Sequence, residues 1–80
     1  LEESLRQFDL ALEQDPRFSE AYAGKALAFN LLCNLRYADD PDQQLLQQQA
    51  EENALLAIRE NEDNAHAYAI LGNIYKDQFR

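Results

Sequence analysis

The sequence predicts an all-α fold of antiparallel helical hairpins. Three observations carry that prediction. Apolar residues recur at helical spacing through four stretches of the chain. Ala, Leu, Glu and Gln are frequent while Gly and Pro number only two each, a composition that favours helix throughout. Short polar or proline-containing joints separate the stretches, and joints this short fold neighbouring helices back on one another.

The first helix is expected over residues 1–14, with Leu5, Phe8, Ala11 and Leu12 on one face. Asp15-Pro16 ends it, because proline lacks the amide hydrogen and restricts the residue before it. Ser19 is placed to cap a second helix, which carries Tyr22, Ala26, Phe29, Leu32 and Cys33 to about Tyr37. Asp39-Asp40-Pro41-Asp42 then reads as a stop followed by a start. Asp40 suits the cap, Pro41 the first helical position, and the acids suit the positive end of the helix dipole. The third helix, 41–61, carries Leu45, Leu46, Ala50, Ala54, Ala57 and Ile58. Asn61–Asn64 is a polar turn with Asn64 as the next cap, and the fourth helix, 65–79, aligns Tyr68, Leu71, Gly72 and Tyr75.

Eighty residues with 46% apolar composition suit one small domain or part of a larger one, and they argue against disorder. No Met occurs, even at position 1, so the chain reads as a segment of a longer protein. Fifteen acidic and seven basic residues give a formal charge of −8. A surface so charged repels phosphate backbones and anionic lipid, which argues against nucleic-acid and membrane partners. No apolar run approaches the roughly 20 residues of a membrane span, so no membrane insertion is expected in this segment. Cys33 is the single cysteine, so no internal disulfide can form.

Internal repetition organises these pieces. The fourth helix reads Tyr68-x-x-Leu71-Gly72-x-x-Tyr75, which resembles the first-helix signature of the tetratricopeptide repeat with Tyr in place of Trp. The first helix reads Ser4-x-x-x-Phe8-x-x-Ala11 with Pro16 following, similar to the second helix of the same family. Tyr22, Ala26 and Phe29 fill the large, small and aromatic positions of another first helix, although Lys25 stands where leucine is expected. Ala50, Ala54 and Ala57 have second-helix spacing, with Glu62 where proline is usual. The resemblance thus divides the chain into a second helix (1–16), an enlarged full repeat (19–62) and a first helix (65–80), stacked as a right-handed superhelix. Small residues would let backbones approach closely, at Gly24 and Gly72 as well as at the alanines, while aromatics fill the space between hairpins.

Tyr22 and Tyr68, expected to be buried in equivalent places, lie 46 residues apart. The family period is about 34, leaving an excess of about 12 residues between Asn30 and Gln49. Shared between two helices, that excess projects about 9 Å past the neighbours. Leu35, Tyr37, Leu45 and Leu46 would either close on one another at this tip or form a second docking surface. The enlarged repeat and its Tyr22-Ala23-Gly24 start are also similar to helical regions of some bacterial signalling and regulatory proteins.

The residues offer no catalytic constellation. Gly24 and Gly72 are isolated within helices, so no phosphate loop exists, and Glu51-Glu52 and Asp39-Asp40 read as solvated or capping carboxylates. His66 has no metal-ligand spacing to any partner, and Cys33 lies on an apolar face as a small hydrophobe. Neither enzyme chemistry nor a cofactor or metal is expected. What the resemblance implies is a protein-protein interaction scaffold that holds a peptide or helix in its concave groove. Carried over by position, that groove is Glu20, Ala23, Leu27 and Asn30 from the second helix, and His66, Ala69, Asn73 and Lys76 from the fourth. Asn73 could exchange hydrogen bonds with a peptide backbone. The alternative is an architectural or self-associating segment. In it the long middle hairpin would make an oligomer contact, and the apolar ends, Leu5 and Phe8 on one side and Ile74 and Tyr75 on the other, would be completed by outside helices or pair in homo-oligomers.

Overall fold

Proline and asparagine at the joints, with alanine between them, build the fold seen in the computed structural model, which describes residues 2–35 and 41–78. Helix α1 spans Glu2–Gln14, α2 Ser19–Asn34, α3 Pro41–Glu60 and α4 Ala65–Gln78, and no strand occurs among the described residues. The protein is all-α. Helix α2 stops at Asn34, three residues short of the expected Tyr37, and α3 is the longest helix at 20 residues. The expected cap Asp40 and the tip residue Tyr37 lie outside the described residues.

The order of contacts fixes the helix directions. Cys33 reaches the Gln43 carbonyl at the far end of α2, while Ser19 reaches the Ala57 carbonyl at its start, so α2 and α3 run antiparallel. Lys25 bridges back to Asp9 at 2.8 Å and Tyr22 donates to the Pro16 carbonyl at 2.9 Å, which makes α1 and α2 antiparallel too. Helix α2 touches all three other helices. Among the described residues α1 touches α2 alone, and α4 touches α2 and α3.

The core is built from alanine. Ala23 and Ala26 of α2 meet Ala50, Ala54 and Ala57 of α3 and Ala67, Ile70 and Ile74 of α4, with Tyr22, Phe29, Ile58 and Leu71 around the edge. Methyl side chains let the helix backbones close to short range, where dispersion contacts are dense. The Cα envelope is only 14 Å across its shortest axis. That is about one interhelix spacing of 8–10 Å plus one backbone diameter. In so thin a body large side chains reach solvent, and none of those described is fully enclosed.

The two described joints use the same hydrogen bonds. Asp15 Oδ1 accepts from Arg17 N–H at 3.1 Å and the Asp15 carbonyl from Phe18 N–H at 3.1 Å. Asn61 Oδ1 accepts from Asp63 N–H at 3.1 Å and the Asn61 carbonyl from Asn64 N–H at 3.1 Å. Each donor and acceptor recurs 46 residues later. The following helix starts differ, however. Asn64 caps α4 by accepting from Ala67 N–H at 3.0 Å, as expected. The position before α2 is Phe18, which has no acceptor, and α2 has no side-chain cap. Ser19 lies one residue too late. It is buried, donates to the Ala57 carbonyl at 2.7 Å and accepts from Asn64 Nδ2 at 2.8 Å, so it joins three helices instead of capping one.

Candidate functional site

The expected groove residues divide into four groups. Glu20 and His66 meet across the α2–α4 contact, with Nδ1 and Oε2 3.6 Å apart and both side chains exposed. Ala69, Asn73 and Lys76 lie exposed on α4, and Asn30 is half-buried on α2. Ala23 is fully enclosed in the alanine core, so it cannot touch a ligand. Its helical phase carries it inward with Ala26, into the cluster that α2 shares with α3 and α4.

Leu27 faces elsewhere. With Ser4, Phe8, Gly24, Ala28 and Leu31 it lines a cleft of about 180 Å³ on the seam between α1 and α2. Apart from Ser4 its lining is apolar. Gly24 shapes this seam: a Cβ there would lie 2.3 Å from the Phe8 ring, so the aromatic ring rests directly on the glycine backbone. Leu27 and Leu31 remain 38% and 40% exposed at the mouth, open enough to meet an incoming side chain. The sequence signal for this site was Phe8 with Gly24, a large residue facing an absent one. It becomes legible only once α1 and α2 are known to be antiparallel.

Three expectations about burial are corrected. Tyr22 is half-buried with its hydroxyl bonded to Pro16, whereas Tyr68 is 51% exposed. The face of α2 that bears Tyr22 is covered by α3 and α4, and no described helix covers the matching face of α4. Gly72 likewise makes no close helix packing: among the described residues, nothing lies within 4 Å of the point a Cβ would occupy. Ile74, expected at a bare end, is buried because the helical repeat places it beside Ala67 and Ile70 in the core.

Tyr75 stays 37% exposed. Loss of solvation, and then the Glu51 carboxylate that its hydroxyl bonds, hold its pKa above the ordinary 10.0. Lys25, the departure from the expected leucine, is satisfied by Asp9 and is only 20% exposed. Cys33 is buried, its thiol directed at the Gln43 carbonyl at 3.7 Å. At the tip, Leu35 and Leu45 are 75% and 53% exposed and Leu46 is half-buried. Among the described residues no cluster of His, Cys, Asp or Glu could hold a metal ion, and no helix is long and apolar enough to cross a membrane.

No family model, curated protein or solved structure matches the chain.

Proposed function

We propose that this chain is a non-catalytic docking segment of the tetratricopeptide type, which holds an amphipathic helix or peptide of a partner protein. The observation that carries the reading is the apolar cleft on the α1–α2 seam. Leu27 and Leu31 stand at its mouth, and the far end of the Phe8 ring rests against Gly24. A helix that lays an apolar stripe into such a seam gains burial without any new backbone hydrogen bonds. The repeated joint geometry at a 46-residue offset supports the repeat reading, with 19–62 as one enlarged unit of a helical superhelix. The open concave surface of Glu20, Asn30, His66, Ala69, Asn73 and Lys76 would then lie beside the docked helix.

Titration of the isotopically labelled chain with a synthetic alanine- and leucine-rich amphipathic helix tests this. Resonances of Leu27, Leu31 and Phe8 are expected to shift together. Shifts confined to His66, Ala69, Asn73 and Lys76 would return the site to the concave surface, and an unperturbed spectrum would sink the docking reading.

A further inference from the structure

The offset of 46 residues relates more than the joints. Moved back by 46, the core residues Ala50, Ala54, Ile70 and Ile74 become Ser4, Phe8, Gly24 and Ala28. Those are four of the six residues lining the cleft on the α1–α2 seam. At those four positions the open cleft corresponds to the surface of α3 and α4 against which α2 packs through Ala23 and Ala26, while Leu27 and Leu31 at its mouth have no counterpart in that core. Moved forward by 46, that packing face of α2 becomes Tyr68, Ala69 and Gly72 of α4, all exposed. Among the described residues there is one filled socket, one open socket, one engaged helix face and one exposed helix face of the same pattern.

We propose that the empty cleft is filled by α4 of a second copy, so that copies associate head to tail. This rests on the docking role of the seam and names its occupant. The interface repeats the one inside the molecule: α4 of one copy takes the place over α1 and α2 that α2 takes over α3 and α4. One polar pair agrees with this placement. Inside the molecule Glu20 of α2 faces His66 of α4 at 3.6 Å. In the joined pair the correspondence sets His66 of the incoming α4 against Glu20 of the receiving α2, again an acid against an imidazole. Such an interface is heterologous, so it leaves a free socket and a free face at the two ends of every assembly.

Sedimentation equilibrium on the chain and two charged variants tests it, in added salt that screens the mutual repulsion of molecules carrying −8 each. The unaltered chain is expected to gain mass with concentration and not to stop at a dimer. Gly72→Arg spoils the face and Leu27→Lys spoils the socket, and both lower the net negative charge, so neither adds repulsion. Each alone is expected to be held to a monomer. Mixed, they are expected to form a one-to-one dimer and nothing larger, because each retains the surface that the other has lost. Tyr68→Arg and Leu31→Lys serve as the second pair should either variant fail to fold by circular dichroism. A monomeric wild-type chain at the highest soluble concentration, or variants that stay monomeric when mixed, overturns the proposal. If the synthetic helix still shifts Leu27 and Leu31 in that monomer, only self-association is lost. If it does not, the docking role of the seam fails with it.

Discussion

Ser19 sits one position too late to cap α2, and that displacement gives it a larger task. Its hydroxyl links the Ala57 carbonyl to the Asn64 amide, and Asn64 in turn caps α4. Removing the hydroxyl leaves two buried polar groups without it. Ser19→Ala is therefore expected to cost about 1–3 kcal/mol in urea unfolding, more than an ordinary exposed serine. Phe18 holds the vacant cap position and is 43% exposed. Phe18→Asn should stabilise the chain by about 0.5–2 kcal/mol, the usual worth of a side-chain cap, read in the same experiment. The two glycines should part company. Gly72 faces open space, so Gly72→Ala should stabilise by about 0.5–1 kcal/mol through helix propensity alone. At Gly24 the added methyl meets Phe8, and Gly24→Ala is expected to show no such gain and to perturb the Phe8 ring resonances.

Between elements, the contacts that matter are small residues and single polar links. Ala54 is fully enclosed where α3 meets its neighbours, while Leu45 on the same helix is 53% exposed. Overpacking typically costs about 1–3 kcal/mol, so Ala54→Leu should lower the melting temperature clearly. Leu45→Gln should leave stability within about 0.5 kcal/mol, since little surface returns to water. Helices α3 and α4 are further joined by the Tyr75 hydroxyl and Glu51. The folded state holds the Tyr75 proton more tightly than the unfolded chain does. The link's contribution is thus fully present below the ordinary tyrosine value of 10.0 and is lost as pH rises through the higher folded value. Alkaline unfolding should begin later in Tyr75→Phe than in the unaltered chain. Equal alkaline midpoints would show that another group governs that limb.

For the molecule as a whole, a thin body and a charge of −8 act together. The alanine core buries little area per residue, so like-charge repulsion is a sizeable fraction of a small net stability. Adding neutral salt should raise the melting temperature by screening that repulsion, despite weakening the Lys25–Asp9 bridge. An unchanged or falling melting temperature would mean that the pairs outweigh the net charge. The exposed Tyr68 and Gly72 and the open Leu27 cleft are also features of this scale. Each is intelligible only from which helix lies over which.

Local rules were enough to place the helices. Pro16, Pro41 and the Asn61–Asn64 turn act within a few residues, and apolar periodicity marks the inward alanines of α3, whereas on α4 the expected Tyr68, Gly72 and Tyr75 are exposed and Ala67, Ile70 and Ile74 face inward. Hence the four helices, the Asn64 cap, the buried Cys33 and the inward Ala50, Ala54 and Ala57 were all readable in advance. Periodicity gives a face but not what covers it. Tyr22 and Tyr68 occupy the same place in the pattern, yet one is half-buried and the other exposed, because α3 and α4 pack over the Tyr22 face of α2 and no described helix packs over the Tyr68 face of α4. The same reason put Ala23 in the core rather than in a groove and turned Leu27 toward α1. Sequence sets phase along a helix through a repeat of about 3.6 residues. Burial depends on contacts between residues far apart in the chain, such as Ser19 with Asn64, and only the tertiary structure decides those.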